Sequence, residues 1–260
     1  MIATPTLYRD GLEDSRFGFA FQMLAAARGA GYPVVVVDGS PSPKVVHAFQ
    51  CLGAHVFRGE TPGLGAQKRE SVVHALELAP SLGATIIAMI EPEKVNLIDF
   101  MPRFVHPLVE GRADVVVATR TEQVRFGYPT FQREGEQAID CAFKEATGIP
   151  IDDISMGPVA FRTEVAGCFT DTSGYLVEGV QDTYIQHYGT IVAYAKGLRV
   201  MGSEPLACAY PQSQRRIEEG AQSGEMRAKR IWQRDSLIIA YQALARRYGL
   251  PRRVTEPAVS

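Results

Sequence analysis

The chain of 260 residues carries 27 Lys and Arg against 29 Asp and Glu, a formal net charge of -2, and 46% hydrophobic residues. That balance leaves no cationic excess for nucleic acid, and no apolar run of about 18 residues offers a membrane span. The length suits one large α/β domain or two small ones, with enough chain to bury a sizeable core.

In chain order, a short apolar opening ends at Thr4, Pro5 and Thr6, and a helical stretch follows from Leu12 to Gly31. The opening lacks a basic segment leading into an apolar one, so the expected compartment is the cytoplasm. Tyr32 to Asp38 contains four successive valines, the pattern of a strand covered on both faces, as in a parallel sheet. A helix is expected from Ser42 to Gly53, with Pro41 and Pro43 at its start and Gly53 at its end. A strand His55 to Arg58, a glycine-containing loop, a helix Gly65 to Leu82 and a strand Ala84 to Ile90 continue the alternation, which predicts a parallel sheet with right-handed crossovers. Val95 to Gly111 reads as a helix interrupted at Pro102 or Pro107, and Asp114 to Ala118 as another buried strand.

The second half is less regular. It offers a helix from Phe131 to Thr147, a strand at Val159 to Phe161, a helix from Asp182 to Lys196 and a strand at Arg199 to Met201. One or two amphipathic helices should then run from Gln214 to Tyr248, broken near Gly220 to Gly224. The divisions expected are a nucleotide-binding half (1–120), an acceptor-side half of the same domain (121–212), C-terminal helices (213–250) and a loose tail (251–260). Cys51, Cys141, Cys168 and Cys208 are scattered without C-x-x-C spacing and are expected to be packed or inert thiols.

In an open parallel sheet, ligands bind beyond the carboxyl ends of the strands. The polar residues expected there are Thr4 and Thr6, Asp38-Gly39-Ser40, Gly63-Leu64-Gly65, and Glu91-Pro92-Glu93-Lys94. Turn chemistry alone favours many of the same residue types. Their order along the chain carries more information than any one of them.

That order resembles the GT-A glycosyltransferases, especially the family-2-like sugar transferases that include the dolichol-phosphate mannose synthases. The matches are Val37-Asp38-Gly39-Ser40, the looser Gly63-Leu64-Gly65-Ala66-Gln67-Lys68-Arg69, and Ala113-Asp114-Val115-Val116-Val117-Ala118-Thr119-Arg120. The resemblance is good over residues 1–120 and looser to 210. It implies an α/β GT-A fold, Rossmann-like, with a mostly parallel sheet flanked by helices and a C-terminal helical extension. The implied activity is transfer of a sugar from a nucleotide-diphosphate sugar to a hydroxyl of a small-molecule acceptor.

By that resemblance Asp38 contacts the base or ribose, Thr4, Pro5 and Thr6 flank the base, and Gly65, Lys68 and Arg69 lie at the donor. Where the family has Asp-x-Asp, this chain has Glu91-Pro92-Glu93. Two carboxylates on alternate residues of an extended segment can share one Mg²⁺ or Mn²⁺, and Pro92 is expected to keep that segment extended. The alternative is that both glutamates simply begin the next helix. Gly157 and Arg162 are placed on the acceptor side, Asp182 at the general base, and Arg215 or Arg216 at the leaving diphosphate. Asp182 as a helix-start residue and Lys68-Arg69 as a solvated pair remain the plain readings of those positions.

Two other functions stay open: a nucleotidyltransferase on a related sheet, for which Gly11 is a weak phosphate-loop signal, and a catalytically degenerate GT-A relative. The five histidines lack metal-ligand spacing, and the hydrolase elbow, the P-loop and the dinucleotide fingerprint are all missing. The C-terminal helices, with Trp232 and Tyr241, offer a face for a homodimer.

Overall fold

Four successive valines cannot alternate between core and solvent, so the strand they form must be covered on both sides. The computed structural model, which describes residues 1–171, 182–209 and 223–251, shows this. Val34 and Val36 pack into one apolar cluster and Val35 into a second, and all four valines are buried. Burial of each valine contributes roughly 1.5–3 kcal/mol. The two clusters lie on opposite faces of one sheet, because successive strand residues point to opposite sides.

The sheet has seven strands: β1 (Ile2–Thr6), β2 (Val34–Asp38), β3 (His55–Arg58), β4 (Ile86–Met89), β5 (Val115–Arg120), β6 (Val159–Arg162) and β7 (Val200–Leu206). Their order is β3-β2-β1-β4-β6-β5-β7. β3, β2, β1 and β4 are parallel to one another, β6 is antiparallel to both its neighbours, and β5 pairs with β7 in parallel. From β1 the chain steps outward to β2 and β3, then returns to place β4 on the other side of β1. The β1/β4 boundary is therefore the switch point where a crevice opens.

One face is covered by helices α1 (Phe17–Gly29), α2 (Pro43–Cys51) and α4 (Met101–Val109). The other holds α3 (Leu64–Leu78), α6 (Thr130–Thr147), α8 (Ile185–Ala195) and α9 (Ser223–Tyr248). Short helices α5 (Glu122–Phe126) and α7 (Gly167–Thr170) complete the set. α2 starts with Pro43 in its first turn, and α6 ends where Gly148 turns left-handed at φ 69°, each as local sequence favours.

Several boundaries differ from expectation. Thr4 and Pro5 lie inside β1, not after it, because the pairing with β2 runs through Thr6. The helix expected from Leu12 begins only at Phe17, after a separate 3₁₀ turn at Gly11–Glu13. The segment around Pro102 and Pro107 divides into a 3₁₀ helix, Val95–Phe100, and α4. The described part of the C-terminal helical region is α9, as expected amphipathic, with Leu237, Ala240, Tyr241, Leu244 and Ala245 buried at helical spacing. Tyr241 is fully buried in the chain's own core and donates or accepts a 2.5 Å bond with His187 Nδ1, so it has no surface for a second copy; Trp232 is exposed. Cys51 and Cys141 are likewise exposed, and only Cys168 and Cys208 are buried. The expected helix start at Gln214, the expected contacts of Arg215 or Arg216, and the tail beyond Pro251 lie outside the described residues.

Candidate active site at the sheet switch point

One end of the crevice, where donor contacts are expected, is built by strand register. Asp38 closes β2 and stands opposite Thr6 of β1 and Arg58 of β3. Its Oδ1 accepts hydrogen bonds from Thr6 Oγ1 (2.8 Å) and Ser40 Oγ (2.6 Å), and Oδ2 accepts from Arg58 Nη1 (2.9 Å). The carboxylate is completely buried, whereas the Arg58 side chain is half exposed. Asp38 thus organises the groups around it, and Arg58 is the member of this cluster exposed to solvent. Sequence reading missed Arg58, although an arginine ending the strand beside Asp38 is a usable signal.

The glycines here have steric reasons. A side chain at Gly39 would overlap the amide of Gln67, and a Cβ at Gly65 would overlap the backbone carbonyl of Asp182. The first turn of α3 is thereby pressed against the 3₁₀ turn Asp182–Tyr184. Gly11, the weak phosphate-loop signal, instead sits at φ 62° with its hydrogens against Ser42, as a turn residue.

Lys68, expected at the donor or otherwise as part of a solvated pair, is 3% exposed. Its ammonium donates to Thr183 O (3.2 Å) and Gln186 Oε1 (2.9 Å). Burial lowers its pKa, opposed by the nearby charges of Glu91 and Glu93. Arg69 pairs with the carboxylate of Asp182, whose side chain is about one-third exposed at 34%.

Glu91-Pro92-Glu93 is not extended. The Lys94 N–H donates to Glu91 O at 3.0 Å, closing a turn with Pro92 at its second position, where the fixed φ of proline is favourable. The two glutamates therefore meet through the turn and not through strand alternation. Burial raises the pKa of Glu93, and repulsion by Glu91 adds to it. Lys94 Nζ lies 3.9 Å from Glu91 Oε2.

Gly157, at φ 100°, leaves the face of Glu91 open: a Cβ there would stand 3.2 Å from Oε2. Beyond them lies a cavity between α6, α8 and α9, lined in part by Glu91, Gln132, Glu136, Ser155, Gln186 and Arg230. Of the expected acceptor-side residues Gly157 borders it and Arg162 does not. Because β6 runs antiparallel, the chain enters at the crevice with Gly157 and leaves at the far edge with Arg162, opposite Ile86 at the start of β4. There Arg162 Nη2 donates to Leu108 O at 2.6 Å. Asp182 does not line the cavity either; it faces α3. Thr4, expected to flank the base, is buried within β1 with its hydroxyl unbonded. Arg215 and Arg216 fall outside the described residues.

Behind the cavity is a buried charge network that sequence reading did not register. Arg120 donates from its backbone N and its Nε to Asp153 Oδ2, both at 2.8 Å, and from Nη2 to Asp153 Oδ1 at 2.6 Å. Its Nη1 lies 2.7 Å from Glu136 Oε2. Arg125 pairs with Asp140, whose pKa burial and then Asp153 push up to about 7. Among the described residues, no group of three or more His, Cys, Asp or Glu is placed to hold a metal, and no helix is long and apolar enough to cross a membrane.

No protein-family model matches the chain, and no curated protein matches it. Solved structures do. Glucosyl-3-phosphoglycerate synthase from Mycobacterium tuberculosis, in complex with phosphoglyceric acid, superposes with a TM-score of 0.55 at 14% identity, covering 92% of this chain and 78% of that one. The same synthase with Mn²⁺, UDP-glucose and phosphoglyceric acid gives 0.54 at 13% identity, with coverage of 92% and 78%. The chain therefore has the GT-A type of α/β fold, a mostly parallel sheet flanked by helices with a C-terminal helix.

Proposed function

We propose that the chain is a glycosyltransferase that moves a sugar from a nucleotide-diphosphate sugar to a hydroxyl of a small-molecule acceptor. The observation that carries this reading is the convergence of Asp38 with Arg58, Lys68 with Arg69, and Glu91 with Glu93 at one switch-point crevice, from separate strand ends and a helix start. The fold likeness to a synthase solved with UDP-glucose supports it.

In this reading the nucleoside lies over β1 and β2. Thr6 and Ser40 fix Asp38, Asp38 fixes Arg58, and Arg58 meets the base or ribose. Lys68 and Arg69 face the diphosphate, where charge builds up as the glycosidic bond breaks. Preorganised cations in a water-poor site stabilise such charge far better than water does. Gln186 and the Thr183 carbonyl hold the Lys68 ammonium in place, and Asp182 holds Arg69. Asp182 is thus assigned to positioning on the donor side, in preference to the general-base role implied by the family resemblance.

The carboxylates of Glu91 and Glu93 are hard oxygen donors beside an open glycine face, a set that suits Mg²⁺ or Mn²⁺. Bound there, such an ion would neutralise the diphosphate; the synthase of similar fold was solved with Mn²⁺. A thermal-shift screen of UDP-, GDP- and dTDP-sugars, with and without Mn²⁺, tests the reading. Stabilisation by at least one donor, greater with Mn²⁺ and reduced in Glu91→Gln, is expected. A protein indifferent to every nucleotide would not be a transferase of this kind.

A further inference from the structure

Gln67 stands in the first turn of α3, against the ends of β2 and β3. A Cβ at Gly39, just after β2, would lie 2.1 Å from Gln67 Nε2, and one at Gly59, just after β3, would lie 3.1 Å from the same atom. Neither glycine has a left-handed φ that would require glycine for its conformation. Both are therefore small for the sake of space, and one amide takes that space.

The amide is held in place but not engaged. Gln67 is 7% exposed. Among the described residues nothing donates to its oxygen or accepts from its nitrogen, and neither atom is sealed from solvent. A polar group this deeply packed favours a ligand that completes its hydrogen bonds, and it lies at the carboxyl ends of two parallel strands, the side on which ligands bind.

Its surroundings are apolar, and the neighbouring cations are already paired. Leu7 Cδ1 lies 3.5 Å from the Cβ position of Gly39, and Val37 Cγ1 3.5 Å from that of Gly59. Leu7 is 41% exposed. Arg58 is bound to Asp38 and donates to Ser40 O at 2.5 Å, while Lys68 and Arg69 turn to Thr183, Gln186 and Asp182. A diphosphate is drawn to cations. A neutral amide beside an exposed leucine suits a neutral planar group with a donor and an acceptor on one edge, which describes a nucleobase.

We infer that Gln67 binds the edge of the donor's nucleobase, with Leu7 against its face, and that Arg58 is left to the ribose. This rests on the nucleotide-sugar reading and names the residue through which that site selects its base. Calorimetry on the full chain with Mn²⁺ would compare UDP, dTDP, CDP, GDP and ADP with two probes that lack a base, pyrophosphate and ribose 5-phosphate. At least one nucleotide should bind the unmodified chain. Gln67→Met, checked for an unchanged melting temperature, should weaken that nucleotide by roughly tenfold, leave the baseless probes unchanged and narrow the preference among bases. Gln67→Ala, which relieves all crowding at Gly39, serves the same comparison should the methionine variant fail to fold.

A residue that only seats α3 would shift nucleotides and baseless probes together. Such a parallel loss, or an unchanged affinity and base preference in the variants, would overturn the role of Gln67 and leave the transferase reading intact. If no nucleotide binds the unmodified chain, both fall.

Discussion

The two ends of the crevice are held by different means. At the proposed donor end, Thr6, Asp38 and Arg58 stand on three neighbouring parallel strands, and register alone brings them side by side. At the proposed acceptor end, α6 and the turn before β6 are tied to β5 by the buried cluster of Arg120, Glu136 and Asp153. Parallel strands all finish on one side, so their terminal residues meet without further help. An antiparallel return offers no such edge, and fixed charges do the positioning instead.

If that contrast is right, the acceptor end should be the more fragile. Asp153→Ala leaves the guanidinium of Arg120 buried without its main partner. A loss of about 3–5 kcal/mol in urea unfolding is expected. A loss below about 1 kcal/mol would mean that apolar packing, not the ion network, holds α6.

The donor end should fail through geometry. Gly65→Ala forces α3 away from the Asp182 carbonyl, at a cost of about 1–3 kcal/mol, and the Arg69–Asp182 pair should part with it. Calorimetry should show UDP affinity reduced by roughly tenfold, the value of one charge-assisted contact. Undiminished affinity would separate the first turn of α3 from donor binding.

A third measurement concerns pH. Burial, with the charge of Lys68 adding to it, lowers the pKa of His187 to about 3. Tyr241 is bonded to its Nδ1 and the ring of Tyr184 lies 5.6 Å away. The unfolded chain takes up this proton near pH 6.5 and the folded chain only near 3. The contribution is therefore complete above about pH 6.5 and is lost as pH falls toward 3, by up to roughly 1.4 kcal/mol per pH unit. His187→Gln should flatten the stability curve in that window. A curve of unchanged slope would show that another group governs acid unfolding.

The smallest effect is expected at Arg162, which faces away from both ends of the crevice. Arg162→Ala should leave the acceptor KM unchanged within error and remove about 0.5–1.5 kcal/mol of stability with the bond to Leu108. A changed KM would bring this residue back to the acceptor side.

Much of this arrangement was legible without coordinates. The valine runs of β2 and β5 announce doubly covered strands, because only burial on both faces tolerates unbroken apolar sequence. The alternation of strands and helices announces the parallel half, and with it the side on which Asp38 and Glu91 must lie. The direction of β6 was not legible, since apolar periodicity is the same whichever way a strand runs. That direction alone separates Gly157 from Arg162. The burial of Lys68 was equally hidden, because it depends on Thr183 and Gln186, more than a hundred residues away. The room kept for the Gln67 amide was hidden too, because it takes Gly39 and Gly59 from the ends of two different strands. Local sequence decides which residues prefer the interior and where strands turn; which polar groups then face one another is decided by strand direction and by charges that only the assembled core brings together.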